Sequence, residues 1–270
     1  MEQPKSKTGY NYNEFIPPKD LKPIIDKFWA FEAASSTGSD RHFYLTTDFT
    51  STLVFIFPRN FKNTAFYLSG PNTQNIPFKI SPGLFTIGYR FTALSAQRLF
   101  GISPELTLNR RMGLAELIPG QLFKNLRSSL VNTKVPAEKI HIINDFLKGL
   151  LEDTNSPADD IVDLVAKKMI KSKGNTKLEE VYSELALSQR QFQRKFVKRT
   201  GLSPKEFCRI VRFHYVTRKL MKKDFRHFDV LVESGYYDQS HYYREFKEFT
   251  GMLPAKYVMR QKRIHMEKLI

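Results

Sequence analysis

The sequence predicts an α+β protein, with a β-rich part and following helices in residues 1–170 and an all-α part in residues 171–270. Three observations lead there. Aromatic and β-branched residues crowd the stretch from Phe43 to Phe91, and Gly and Pro cut it at intervals, which is how sheet reads. From Leu94 onward the apolar spacing lengthens to the helical period. Between the two parts, residues 171–176 (Lys-Ser-Lys-Gly-Asn-Thr) are polar and centred on a glycine, as a boundary between units should be.

The elements follow in order. After a loose start, strands are expected at His42 to Thr46, Leu53 to Phe57, Ala65 to Ser69, Phe78 to Ile80 and Leu84 to Phe91, with turns at Gly70-Pro71 and Ser81-Pro82-Gly83. Helices are expected at Leu94 to Phe100, Gly120 to Leu130, Ala137 to Leu151 and Pro157 to Lys171. Further on, Leu178, Val181 and Leu185 space a short helix, Leu187-Ser188 makes a turn and cap, and Gln189 to Arg199 forms a second helix; this is helix-turn-helix spacing. Ser203-Pro204-Lys205-Glu206 combines an N-cap, a first-turn Pro and a capping-box Glu, so a long helix should run from Pro204 to Lys222. Its positions Phe207, Ile210, Val211, His214, Thr217 and Met221 keep one face inward.

The chain then repeats itself at an offset of fifty residues. Gln189, Arg194, Phe196, Thr200, Gly201 and Pro204 recur as Gln239, Arg244, Phe246, Thr250, Gly251 and Pro254, while Phe192 and Phe207 become Tyr242 and Tyr257. Solenoids need about three or more copies to bury a continuous core. Two copies point to paired modules.

In the first copy Phe192 and Phe196 share an inward stripe with the stem of Arg199, leaving Arg190, Gln193, Arg194 and Val197 outward at i, i+3, i+4 and i+7. In the second, Asp238 takes the cap, Tyr242 and Phe246 point inward, and Ser240, Tyr243, Arg244 and Lys247 point outward. Arg suits the O6 and N7 acceptors of guanine, Gln suits adenine, and Lys, Ser and Tyr suit phosphates. The candidate DNA-binding residues are therefore Gln189, Arg190, Gln193, Arg194, Gln239, Ser240, Tyr243, Arg244 and Lys247.

Charge supports a polyanionic partner. Residues 171–270 hold 23 Lys+Arg against 11 Asp+Glu, while the first 170 hold 20 against 16, so a third of the chain carries most of the net charge of +16. Lys198, Arg199, Lys205, Arg209, Arg212, Lys219, Lys222 and Lys223 crowd the elements expected nearest the phosphates. The longest uninterrupted apolar run, Leu53 to Phe57, is far below the ~18 residues of a membrane span, and the polar N-terminus has no signal-peptide core, so the cytoplasm is the expected location. The single cysteine, Cys208, excludes an internal disulfide and a multi-cysteine metal site; the expectation is a buried small hydrophobe.

Residues 172 to 260 resemble the DNA-binding domain of AraC-type (arabinose-operon regulator) transcription factors. The matching run is Gly235-Tyr236-Tyr237-Asp238-Gln239-Ser240-His241-Tyr242-Tyr243-Arg244-Glu245-Phe246-Lys247, followed by Gly251, Pro254 and Tyr257. The resemblance implies two helix-turn-helix units joined by a linker helix, inserting helices 189–200 and 239–250 into successive major-groove segments on one face of double-stranded DNA. It also implies a bacterial transcriptional regulator, most often an activator, with RNA polymerase as a further partner. This chain departs from the family pattern at Tyr182 and Leu231, where the family usually has a small residue. Residues 15 to 130 resemble the β-rich, cupin-like domains that precede this unit in bacterial regulators, through Leu21-Lys22-Pro23 before Phe28-Trp29 and through Gly70-Pro71. Such a domain senses a small-molecule effector or forms a homodimer. Trp29, Phe31, Phe43, Phe55, Phe57, Phe66 and Phe85 either line a ligand cavity or form core. The stripes Ile140, Ile143, Leu147, Leu150 and Ile161, Leu164, Val165, Met169 either make a dimer seam or pack on their own domain.

Two other classes compete. An enzyme carrying an appended DNA-binding domain would need a cluster of ligands or an acid-base pair, but the sheet region holds only His42 and Cys208 has no evident partner, so neither catalytic residues, a metal nor a cofactor is expected. An architectural DNA-binding protein would show basic charge and wedge residues without a matched polar reading face.

Overall fold

The computed structural model describes residues 10–35, 41–45, 47–60, 63–152, 161–221 and 234–259. The N-terminal part is an antiparallel six-stranded sheet built from β1 (Tyr10–Phe15), β2 (Ile25–Ala33), β4 (Thr52–Phe57), β5 (Ala65–Ser69), β7 (Phe85–Phe91) and β8 (Arg111–Gly113), in the order β1-β2-β7-β4-β5-β8. A ribbon of β3 (Arg41–Leu45) and β6 (Ile76–Ile80) forms a second sheet. The expected strands are all present. The stretch before them is not loose, however, because β1 pairs along its whole length with β2, from Tyr10 opposite Ala33 to Phe15 opposite Phe28. The alternation of β2 is broken where its pairing with β7 shifts register between Ile25 and Lys27, as a bulge does.

Alternation sorts the rest of the sheet into two faces. On β4, Leu53, Phe55 and Phe57 join Ile87, Tyr89 and Phe91 of β7 in a core covered by α1 (Ser95–Phe100), α3 (Leu114–Leu117), α4 (Gly120–Asn132) and α5 (Pro136–Glu152). The phenol of Tyr89 donates to Asn144 Oδ1 at 2.9 Å, a buried bond from the sheet to α5. Phe55, Phe57 and Phe66 are therefore core, with Phe85 packed against them. On the opposite face, Tyr10, Phe31, Ala33, Ile80 and Leu84 form a smaller cluster beside Trp29 and Phe78. Gly88 makes room there: a Cβ on it would lie 2.2 Å from the indole of Trp29.

Of the two candidate dimer stripes, Ile143 and Leu147 are buried in the N-terminal core with Ile140 and Leu150 packed against it. The second belongs elsewhere. Val162, Val165, Ala166 and Met169 of α6 (Ile161–Lys171) lie in the same cluster as Val181, Phe192, Phe196 and Phe246, while Leu164 is exposed. The polar segment after α6 thus does not separate two cores; it is a tight turn, with Lys173 and Gly174 at positive φ and the amide of Gly174 donating to Met169 O.

Beyond it come α7 (Leu178–Ser183), α8 (Gln189–Thr200), α9 (Pro204–Leu220) and α10 (Gln239–Thr250). The linker helix α9 is buried on more than one side: Cys208, Phe213, Val216 and Leu220 join Phe207, Ile210, Val211 and Thr217 inside. Along it only Lys205, Glu206 and Arg218 are exposed, so most of its circumference is packed. Its inner surface receives both copies of the repeat, Phe196 edge-on to Phe207 at 5.4 Å and Phe246 edge-on to Phe213 at 5.2 Å. Tyr182 is accommodated by leaning its ring on Phe192 at 6.1 Å; Leu231 lies outside the described residues. Phe196→Ala should lower the stability measured by denaturant unfolding by about 3 to 5 kcal/mol, because it empties a fully buried site in this stack.

Candidate nucleic-acid interface

Helices α8 and α10 are stopped and started by the same devices, which explains which residues recur. At the N-terminus of α8, Ser188 Oγ accepts from the amide of Gln191 while the amide of Ser188 donates to Gln191 Oε1 at 3.0 Å, a capping box. Asp238 Oδ1 accepts from the amide of His241 at the start of α10. At the C-termini, Thr200 Oγ1 donates to Phe196 O at 2.8 Å and Thr250 Oγ1 to Phe246 O at 2.7 Å, and each hydroxyl also accepts from the amide two residues on. Gly201 and Gly251 follow with φ of 77° and 69°, the left-handed conformation of a helix end.

Caps at both ends fix which way the sides face. Gln189, Arg190 and Arg194 are exposed on α8, and Gln239, Ser240, Tyr243, Arg244 and Lys247 on α10. Gln193 is half-buried, its amide donating to the Tyr182 hydroxyl at 3.4 Å. Gln239 donates to the Tyr243 hydroxyl at 3.0 Å, which links two candidate contacts one turn apart. Neither Arg194 nor Arg244 has an ion-pair partner among the described residues, so their recurrence is not explained by helix packing.

The cations expected nearest the phosphates divide into two kinds. Arg199 is committed internally: it grips the nearly buried carboxylate of Asp163 on α6 with two bonds, of 2.9 and 3.0 Å, and donates to Gln97 Oε1 of α1 at 2.7 Å. Arg209 likewise bonds Glu245, 3% exposed, at 2.8 Å and Glu248 at 2.6 Å, tying the linker helix to α10, while Arg212 donates to Gly174 O. Lys198 and Lys205 stay exposed. Lys222 and Lys223 lie outside the described residues. Sequence spacing cannot tell a solvated arginine from one whose acid partner stands 36 positions away.

Besides the bond of Arg199 to Gln97, two contacts join the N-terminal part to this unit most closely. In the first, α2 (Pro104–Thr107) abuts the end of α8, where Ser103 Oγ donates to Lys198 O at 2.7 Å and a Cβ on Gly201 would meet the backbone of Pro104 at 2.9 Å. Glu105 and Leu106 therefore wall one side of a groove whose other side is Arg190, Arg194 and Val197. In the second, Phe49 packs edge-on against Phe207 at 5.2 Å and His214 at 5.5 Å. His214 Nε2 meets Thr47 O at 2.7 Å, and beside it Asp48 is locked in bonds with Arg90 of 2.9 and 3.0 Å. Burial opposes ionisation of Asp48, yet Arg90 and His214 hold its pKa at about 2. Burial also pushes the Cys208 thiol up to about 11, so it is an inert core residue. Around Asp48 a cavity of about 280 Å³ opens between the outer face of the sheet and α9. Of the aromatics considered for a cavity, Trp29 is the one that lines it; the side chain of Phe43 lies outside the described residues.

Among the described residues, no group of three or more His, Cys, Asp and Glu could hold a metal ion, and no helix is long and apolar enough to cross a membrane.

Residues 182–260 match a family described as a helix-turn-helix domain, a span that takes in α8, α9 and α10. Residues 13–113, which include nearly the whole sheet, match a domain of unknown function (DUF6597). No curated protein matches the chain. Among solved structures it is similar to ToxT of Vibrio cholerae in a 1.65 Å form, with 12% identity over 93% of this chain and 98% of that one at a TM-score of 0.47. An apo ToxT variant gives 12% identity over 95% and 99% at 0.45, and a ToxT structure with an unsaturated fatty acid bound gives 13% over 96% and 97% at 0.42. The capped pair of helices on one linker and the helix-turn-helix match define a DNA-binding transcription regulator. Residues 182–260 are thus a helix-turn-helix domain of the AraC type.

The contact at His214 should respond to pH. Burial, with Arg90 and Lys27 nearby, holds the imidazole below its ordinary value against the opposing pull of Asp48 and the bond to Thr47. A His whose folded pKa is depressed contributes stability that is present above about pH 6.5 and is lost as pH falls toward the folded value. Thermal unfolding of the full chain should therefore drop more steeply between about pH 7.5 and pH 5.5 than that of His214→Gln, whose amide can still donate to Thr47 O but does not titrate.

Proposed function

We propose that this regulator reads two successive major-groove segments with α8 and α10 and that its N-terminal unit adjusts how it does so. The observation that carries this reading is the outward polar face repeated on two helices that are capped alike and mounted through equivalent aromatics on one rigid linker. An architectural protein needs wedges, and no exposed apolar residue stands on the outward face of α8 or α10 apart from the tip of Tyr243. Arg190, Gln193 and Arg194, with Ser240, Tyr243 and Arg244, are the proposed base-reading set; Gln189, Gln239 and Lys247 flank it as phosphate contacts. Arg190 is the leading specificity residue, because its position is occupied by a different residue, Ser240, in the second copy. Working as an activator in the cytoplasm, the chain would offer RNA polymerase a surface outside these helices. We also propose that the DNA-binding unit begins at α6, since four of its buried residues complete the C-terminal core.

Arg190→Ala should leave thermal unfolding unchanged and weaken binding by about 1 to 3 kcal/mol at one or two base pairs in a site-selection assay. An equal loss on every sequence would remove Arg190 from base reading. Lys198→Ala or Lys205→Ala should instead reduce the slope of log affinity against log salt by about 0.9 for each phosphate left without its cation. Arg199→Ala should leave that slope alone but destabilise the fold by about 3 to 5 kcal/mol, since it strands the carboxylate of Asp163. A chain beginning at residue 161 should fold and bind DNA, whereas one beginning at 172 should lose its cooperative unfolding transition.

A further inference from the structure

A second cleft, of about 400 Å³, lies between α9 and α10. Lys205 and Leu178 line both this cleft and the groove beside α8, and Arg244, from the outward face of α10, lines it as well. It therefore opens on the side that carries both candidate reading faces. The fifty-residue repeat shows what is unusual there: Lys195 and Lys198 on α8 correspond to Glu245 and Glu248 on α10, a reversal of charge at both positions of one helix face. Lys198 is exposed beside the reading face of α8, where it is a candidate for a phosphate. At the equivalent place on α10 stands a carboxylate, which repels phosphate.

Both acids are met by one arginine of the linker helix, but unequally. Arg209 Nε donates to Glu245 at 2.8 Å, and Glu245, 3% exposed, also accepts from the Tyr236 hydroxyl at 2.8 Å. Breaking that bond would strand a buried charge. The guanidinium also lies over the ring of Phe249, 5.0 Å from its centroid. Arg209 Nη2 donates to Glu248 at 2.6 Å, and this second carboxylate belongs to a side chain 59% exposed that makes no other bond among the described residues. An exposed ion pair adds little, because water screens it and the side chain gives up rotamer freedom to hold it. Glu248 can therefore leave, while Arg209 keeps its place on Glu245.

Carboxylate and phosphate offer a guanidinium the same kind of charged oxygen acceptor. We propose that Glu248 occupies, in the free protein, the place of a DNA backbone phosphate: on binding, the phosphate takes over Arg209 Nη2, Lys205 supplies a second cation, and Glu248 swings out to solvent. This exchange rests on the reading of the chain as a DNA-binding regulator. Glu248 is then an internal competitor that lowers affinity for every sequence alike, since a phosphate carries no sequence information. The linker helix supplies to the second unit the cation that α8 supplies for itself through Lys198.

The test uses the full chain. A duplex is selected from a random pool with the wild-type protein, and affinity is measured on it and on an unrelated duplex. Glu248→Gln, whose amide still accepts from Arg209 but carries no charge, should bind both about threefold or more tighter with an unchanged unfolding midpoint. Its slope of log affinity against log salt should steepen by up to about 0.9, because phosphate no longer displaces a carboxylate that takes up a cation in turn. Glu179→Gln removes the same charge from the wall of the groove beside α8, away from Arg209, and should gain less than about twofold. A neutral methylphosphonate is then placed at one backbone position at a time across the selected duplex. At one or two adjacent positions the advantage of Glu248→Gln should vanish, and elsewhere it should remain. Equal affinity of Glu248→Gln and wild type, a gain no larger than that of Glu179→Gln, or a gain that survives at every methylphosphonate position overturns the proposal alone. Selection that returns no bound duplex overturns the regulator reading and the exchange with it, and it registers before any variant is compared.

Discussion

Almost everything in this molecule is referred to the linker helix α9. A helix that buries Phe207, Ile210, Val211, Phe213, Val216 and Leu220 together has little surface left on which to rotate or slide. Because Phe196 and Phe246 lean on Phe207 and Phe213, two rings six positions apart on that one helix, the separation and relative rotation of the reading helices follow from its pitch. Two major-groove segments lie at a fixed distance on a duplex, so a reader without a rigid spacer would lose affinity to the entropy of orienting its two halves. The aromatics that recur in both copies therefore set geometry, and the polar residues beside them are free to differ.

The same helix is where the N-terminal part makes its deeper contact. Phe49 enters the C-terminal core beside Phe207, which is itself the platform for Phe196, so a side chain of the sheet domain lies two ring contacts from a reading helix. The other contact, of α2 with the end of α8, is built from different material: a serine hydroxyl on a helix carbonyl and a glycine too tightly packed to carry a Cβ. One is apolar and deep, the other polar and at the edge. Edge contacts of this polar kind open at low free energy, whereas the apolar one must move a buried ring, so a rearrangement between the two parts would start at α2.

How much of this the sequence discloses follows from the range of the interactions involved. The capped helices are legible because Ser188 and Gln191, Asp238 and His241, Thr200 and Leu202 interact within a few residues of one another. The inner face of the sheet is legible through the alternation of Leu53, Phe55 and Phe57. By contrast, β2 hides behind its bulge, and the polar run after α6 reads as a linker although it turns tightly inside one core. Nothing in its composition separates those cases, because the deciding facts are Val162, Val165 and Met169 packing against a helix some thirty residues away. The cavity escapes for a related reason: its lining comes from several strands, two loops and α9. The candidate reading face itself is legible as an arrangement, since exposure on α8 and α10 falls where helical periodicity puts it.

Net charge and free charge play different parts. A net charge of +16 attracts any polyanion, so it supplies affinity without selectivity. Selectivity depends on which cations are still free to move once the protein has folded. Arg199 and Arg209 are held by Asp163 and Glu245, and a side chain pinned to a buried carboxylate cannot turn to a base without stranding that carboxylate. Arg190, Arg194 and Arg244 have no such engagement among the described residues and extend from helices whose ends are fixed. The fold thus divides its arginines between the interior and the exposed faces of α8 and α10, and the internal ones hold those faces in register.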